Sequence, residues 1–225
     1  MFSEHQKKIK IYVKAVCQGD INSFVLVGRA GLGKTYLISQ VLEELKLQPN
    51  VNYIYLNSYI TATELYIMLE RVNRLLPPKV LVLDDIEYSI RDRKVISLLK
   101  SALWEGGNGK RQINYQSGTY RVSTTQIDDF SGKIVILLNE FKANNPILKA
   151  LRDRGLFYQF EPTDQEIRQA VRELANKPYK NINQSDRIKI AEYILSKTKP
   201  KELSLRSLIK FYNLYLANNN LYKTL

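Results

Sequence analysis

The sequence holds one cysteine, Cys17, and one histidine, His5. A lone thiol closes no internal disulfide, and with one imidazole beside it the chain has too few soft ligands for an ordinary zinc site or a Cys-His catalytic pair. Cys17 falls on the apolar side of the first segment and reads as a small core residue, not a nucleophile. Long apolar runs are missing too: nothing approaches the ~20 residues that span a bilayer, which excludes a membrane helix. The start, Met1 to Lys8, continues as an amphipathic lysine-rich segment and not as a secretory signal, so a cytoplasmic protein is expected. Acidic residues are in deficit, 22 against 34 Lys plus Arg. The resulting net charge of +12 suggests a polyanionic partner, although a basic surface also serves solubility. With 44% hydrophobic and 25% charged residues, the 225-residue chain has the composition of a globular protein with one α/β domain plus an appendage, or two small domains.

The most informative stretch is Gly28-Arg29-Ala30-Gly31-Leu32-Gly33-Lys34-Thr35, which fills the pattern G-x-x-x-x-G-K-[ST]. The apolar run Phe24 to Val27 precedes it as a strand. From Tyr36 to Lys46 apolar residues recur at helical spacing. Strand, glycine loop and helix together make a phosphate cradle: glycines let backbone N–H groups turn inward, and the helix N-terminus favours an anion. The pattern predicts Lys34 on the β- and γ-phosphates of ATP and the Thr35 hydroxyl on Mg²⁺.

Along the chain, residues 4 to 17 predict a helix ending at Gly19, Val51 to Leu56 a second strand ending at Asn57, and Thr63 to about Leu76 a helix. Val80 to Leu83 is a strand apolar on both faces that runs into Asp84-Asp85-Ile86-Glu87. Its C-terminal end delivers carboxylates to the edge where parallel sheets bind ligands. After a helix from Arg93 to Trp104, residues 110 to 125 alternate around a turn at Gln116-Ser117-Gly118 and predict a hairpin. Lys133 to Leu138, ending in Asn139, is a fourth buried strand; a short helix carries Arg152 and Arg154, and Leu156 to Phe160 is the last strand. Beyond Pro162 the chain reads as helices alone, Gln165 to Ala175, Ser185 to Ser196 and Leu203 to about Asn218. The expected domains are therefore 1–162, α/β, and 163–225, a helical lid.

Taken together, the phosphate loop, Asp84-Asp85, Asn139 at a strand tip, an arginine before the last strand and a small helical domain resemble the AAA+ ATPases. Within them the texture is similar to small viral, phage or plasmid ATPases and to replication initiators and helicase loaders. The resemblance implies an α/β P-loop fold, a five-stranded parallel sheet sandwiched by helices, with the lid over nucleotide contacted by Gly28 to Tyr36. It implies Asp84 and Thr35 as Mg²⁺ ligands and Asn139 as the polar sensor of the γ-phosphate. Asp85 stands where the family has a water-orienting Glu; in an extended continuation of the strand Glu87 points the same way and is the alternative. Arg154, or Arg152 in reserve, matches a finger supplied to a neighbouring subunit. Arg206 matches the arginine by which the lid senses phosphate, and Asn57 a polar restraint on the catalytic carboxylate.

The hairpin residues Lys110, Arg111, Tyr115, Tyr120 and Arg121 mix cations with aromatics, a combination that suits nucleic acid. The expected function is ATP hydrolysis by a ring or helical homo-oligomer acting on DNA, with a helicase or initiator as possible protein partner, in the host cytoplasm if viral. The alternative is a nucleotide-gated interaction module with slow turnover, which the short Asp85 favours. A protein remodeller is a third reading; the usual aromatic-hydrophobic-Gly loop after the second strand is not apparent, which argues against it.

Overall fold

Apolar runs alternating with helical segments form a parallel sheet, the arrangement that such alternation favours. The structure, a computed structural model, describes residues 3–105, 107, 109–116, 126–139, 146–199 and 202–217. Its strands are β1 (Ser23–Gly28), β2 (Tyr53–Asn57), β3 (Val80–Asp84), β4 (Ile113–Asn114), β5 (Gln126–Ile127), β6 (Lys133–Leu138) and β7 (Leu156–Phe160). Its helices are α1 (Ser3–Gln18), α2 (Lys34–Glu44), α3 (Ala62–Asn73), α4 (Arg93–Leu103), α5 (Pro146–Arg152), α6 (Asp164–Ala175), α7 (Gln184–Lys197) and α8 (Leu205–Ala217). Contacts divide the chain into a unit of residues 9–28 and 35–159 and a unit of residues 1–8, 29–34 and 160–225.

The parallel sheet has five strands in the order β2-β3-β6-β1-β7. Every residue of β1 and β3 is buried, the condition that calls for apolar residues on both faces. Asp84 pairs with Leu137, and Val27 with Leu138, so β3, β6 and β1 end almost level. Asn139 follows directly, between the ends of β1 and β3. Cys17 lies in α1, 9% exposed, and burial pushes its thiol up to about 11, consistent with a core residue.

Local signals explain most element starts. Thr61 and Glu64 form a reciprocal cap, so α3 begins at Ala62, one residue before the expected Thr63. Asp92 caps α4 through the Lys94 amide at 2.8 Å. The second strand starts at Tyr53 and not at Val51, because Asn50 is left-handed (φ 61°) and the Val51 amide closes a turn on the Gln48 carbonyl at 3.2 Å.

The hairpin differs from its sequence reading. β4 and β5 pair antiparallel through Ile113↔Ile127 and Asn114↔Gln126, so the second strand lies beyond the predicted span of 110–125. Both isoleucines are buried, which makes this pair part of the core. Tyr120 and Arg121 lie outside the described residues.

In the other unit, Thr163 and Glu166 cap α6 as Thr61 and Glu64 cap α3. Arg187 is only 7% exposed, and its guanidinium is committed to the Ala175 carbonyl at 3.1 Å and to that of Ile182. The backbone thus satisfies a charge that the core would otherwise reject.

Gly155 marks the entry to β7. A Cβ there would stand 2.0 Å from Ser23 Oγ and 3.2 Å from the Ser23 carbonyl oxygen. Gly155→Ala is expected to cost about 1–3 kcal/mol, since backbone and side chain must both shift. Thermal unfolding reads this as a fall of about 2–4 °C per kcal/mol; an unchanged midpoint would mean that the two segments separate easily.

Candidate nucleotide site

β1 ends at Gly28 and α2 starts at Lys34, so residues 29 to 33 make the whole turn. Gly31 and Gly33 hold φ of 77° and 87°, a region that L side chains avoid. At Gly31 the space is closed as well: a Cβ would lie 2.9 Å from that of Ser204. The Gly31 carbonyl accepts from the amides of Leu205 at 3.0 Å and Arg206 at 3.4 Å, the first residues of α8. Ser204 completes this helix start, accepting through Oγ from the Ser207 amide at 3.1 Å. The Arg29 guanidinium donates to the Leu203 carbonyl. Arg206 is exposed, and its Cβ would lie 3.5 Å from a Cβ built at Gly31.

Within the loop, Leu32 is buried and anchors the turn, while Ala30 is exposed. Lys34 is 6% exposed, with Nζ donating to the Arg29 carbonyl at 3.2 Å. Tyr36 is exposed and accepts from Gln40 Nε2 at 2.9 Å.

Thr35, in the first turn of α2, bonds to the end of β3. Its Oγ1 donates to Asp84 Oδ2 at 2.8 Å. With its proton committed to Asp84, the Thr35 oxygen keeps its lone pairs for another partner, which is the state a cation ligand needs. Among the described residues no cluster of three or more His, Cys, Asp or Glu side chains could enclose a metal. The pair suits Mg²⁺, which takes one or two protein oxygens and completes its shell with phosphate and water.

A residue absent from the sequence reading belongs here. Tyr55 donates its hydroxyl to the same Asp84 Oδ2 at 2.6 Å. Burial, and next the hydrogen bond to Asp84, push its phenol well above the usual range, so it remains a donor. β2 pairs with β3 in register, Tyr55 opposite Val82 and Asn57 opposite Asp84, and Tyr55 reaches one pleat along its own face to the carboxylate. Asn57 is exposed at the strand end.

The residues after Asp84 do not continue the strand. Asp85 has φ 55°, so the extended geometry behind the Glu87 alternative does not hold. Both acids nonetheless meet Asn139: its Nδ2 donates to Asp85 Oδ1 at 2.7 Å, and its backbone amide donates to Glu87 Oε1. Asp85 is exposed and Glu87 half-buried. The bend turns Asp85 outward while Glu87 pins the backbone of the residue that holds it.

Of the two arginines near β7, Arg154 is half-buried. Its Nη1 donates to the Ala150 carbonyl at 2.9 Å, and its guanidinium lies 5.8 Å from the Trp104 ring centroid. Arg152 is exposed, its guanidinium 3.9 Å from the Phe157 centroid.

Of the hairpin residues, three lie among the described ones. Arg111 is 4% exposed; it donates to the Ala102 carbonyl at 2.9 Å and lies over the Phe130 ring, so no phosphate reaches it. Burial also lowers the pKa of this guanidinium, opposed by Glu105 and Asp129. Tyr115, half-buried, is stacked on Tyr66 at 5.3 Å and hydrogen-bonds Thr63 Oγ1 at 2.9 Å, which engages one ring face and the hydroxyl. Lys110 is exposed.

No family model matches the chain. An uncharacterized 36.7 kDa protein in the nrdC-mobD intergenic region of Enterobacteria phage T4 is 28% identical over 127 residues, 55% of this chain and 38% of that protein. Among solved structures, Cdc6p from Pyrobaculum aerophilum superposes with a TM-score of 0.59 at 16% identity, over 97% of this chain and 62% of that one. A point mutant of Thermotoga maritima RuvB gives a TM-score of 0.54 at 17% identity, over 96% and 63%. The chain thus spans well under half of the phage protein and somewhat less than two thirds of these two structures. Sheet order and glycine loop define a P-loop nucleoside triphosphatase fold. Its particular form is the AAA+ ATPase fold, which it shares with RuvB and Cdc6p. The phage protein accords with the phage-type resemblance. No helix among the described residues is long and apolar enough to cross a membrane.

Tyr55→Phe should cost about 1.5–3 kcal/mol of stability, the worth of a hydrogen bond to a charged group. Nucleotide binding without Mg²⁺ should stay as in wild type while the Mg²⁺ concentration giving half-maximal binding rises several-fold. A Mg²⁺ titration with a fluorescent ATP analogue measures both, and an unchanged midpoint would remove Tyr55 from the site.

Proposed function

We propose that this chain binds ATP with Mg²⁺ and hydrolyses it, working as an oligomer on DNA in replication initiation, helicase loading or translocation for a phage- or plasmid-like element. The observation that carries the reading is the Thr35–Asp84 hydrogen bond at 2.8 Å, which puts a hydroxyl and a buried carboxylate together where the glycine loop enters α2. Lys34 supplies a fixed cation to the β- and γ-phosphates, and loop amides supply donors. Mg²⁺, when bound, neutralises charge that develops on the transferred phosphoryl group. Asp85, held by Asn139, orients the attacking water and Asn139 itself faces the γ-phosphate. Arg206, at the start of α8, is the candidate phosphate-sensing arginine.

DNA is supported by the +12 charge and by the resemblance to replication ATPases. Oligomerisation is supported by the arginines before β7, of which Arg152 is the one on open surface. It is the better finger for a neighbour, since Arg154 is already bonded to Ala150. The second reading, a nucleotide-gated module with slow turnover, is favoured by Asp85: its side chain is short and its backbone left-handed.

ATP hydrolysis with and without single- and double-stranded DNA, together with sizing in ATP, tests the proposal. Lys34→Ala should abolish nucleotide binding and Asp84→Asn chiefly Mg²⁺-dependent turnover; normal hydrolysis by either would sink the site. Asp85→Asn should bind ATP without hydrolysing it. Slow turnover by wild type that Asp85→Asn leaves unchanged selects the second reading. Inactive Arg152→Ala and Lys34→Ala chains should regain activity on mixing, because an intact loop then meets an intact finger. No recovery in assemblies shown to be mixed would place Arg152 outside catalysis.

A further inference from the structure

With Arg111 buried and Tyr115 stacked on Tyr66, the described part of the hairpin offers few contacts to a polyanion. Exposed tyrosines and cations instead lie beyond the ends of β2 and β3. Tyr59 is 61% exposed and Tyr88 72% exposed. The residues that follow them, Ile60 and Ser89, are buried, and the Ile60 amide donates to Ser89 Oγ at 2.8 Å. That bond ties the two segments side by side. Ile86 and Ile90, both buried, anchor the second segment on either side of Tyr88. Both tyrosines are therefore held out in water by a buried scaffold, with their rings accessible to a ligand.

On the C-terminal side of Tyr88 positive charge predominates, whereas Asp85 and Glu87 precede it. The Arg91 guanidinium lies 5.0 Å from the Tyr88 ring centroid, and Arg93 and Lys94 are exposed at the start of α4. Between residues 88 and 94 these three cations accompany one carboxylate, Asp92, which is engaged in capping the Lys94 amide.

We infer that Tyr59 and Tyr88, with Arg91, Arg93 and Lys94, form a contact surface for single-stranded nucleic acid, bases stacking on the two rings and phosphates meeting the three cations. The inference rests on the DNA reading given above and names where that contact lies. A duplex keeps its base faces stacked inside, so it would use the cations and leave the rings idle. A single strand uses both.

Fluorescence anisotropy of the full chain with ATP, using a labelled oligothymidylate and a duplex of equal length across a range of salt, tests this. Tyr59→Ala with Tyr88→Ala should weaken oligothymidylate binding roughly tenfold or more with little change in salt slope, because stacking releases no counterions. Phe at both positions should retain binding, which separates stacking from misfolding. Alanine at Arg91, Arg93 and Lys94 should make the slope shallower by up to about 2 units. Wild type that binds oligothymidylate no better than the Tyr→Ala pair overturns the surface and leaves the DNA reading standing. Wild type that binds neither oligonucleotide overturns the DNA reading along with it. Kept DNA affinity with lost ATP-dependent assembly in the Tyr→Ala pair would make the surface a contact between copies and overturn the proposal.

Discussion

The hydrogen bond from Thr35 to Asp84 is the interaction on which the candidate site depends. Thr35 follows β1, and Asp84 ends β3, which is not a neighbour of β1: β6 lies between them. The bond therefore exists only if three parallel strands end level, and the register of β1 on β6 and β6 on β3 makes them do so. That register is held by strands whose residues are almost all buried, so slipping one of them by a residue would exchange its two faces throughout. Core packing thus places the hydroxyl and the carboxylate together.

Asn139 shows the same logic at the next residue. It leaves β6 between the two ends that the bond connects, and it binds Asp85 with its side chain and Glu87 with its backbone. One acid is exposed and the other half-buried, so the pair divides the work: Glu87 orders the backbone, and Asp85 faces outward. The sequence Asp-Asp-Ile-Glu looks like a choice between two candidate bases, whereas in three dimensions the two act on a shared neighbour in different ways.

How much of this was legible follows from range. Strand and helix positions rest on local periodicity, and the glycine loop on a contiguous pattern, so both could be read along the chain. Tyr55 could not: alternation puts it on the face of Asn57, but that this face meets Asp84 depends on pairing between strands far apart in sequence. Arg111 misled because its residue type suits a surface, yet the Ala102 carbonyl and the Phe130 ring satisfy its guanidinium inside. Tyr115 misled similarly, since a tyrosine that stacks on a base and one that stacks on Tyr66 look alike in sequence. Asp85 was expected to extend the strand, and only its positive φ reveals the bend.

The contact between Gly31 and the start of α8 carries one more consequence. A trans peptide is flat, with its carbonyl and its N–H on opposite sides. The Gly31 carbonyl is held by the amides of Leu205 and Arg206, so the N–H of Leu32, in the same peptide plane, is aimed away from the helix. The first turn of α8 thus fixes the tilt of one donor in the loop. Any rotation of that plane by an incoming anion would be felt at once as a pull on the end of the helix.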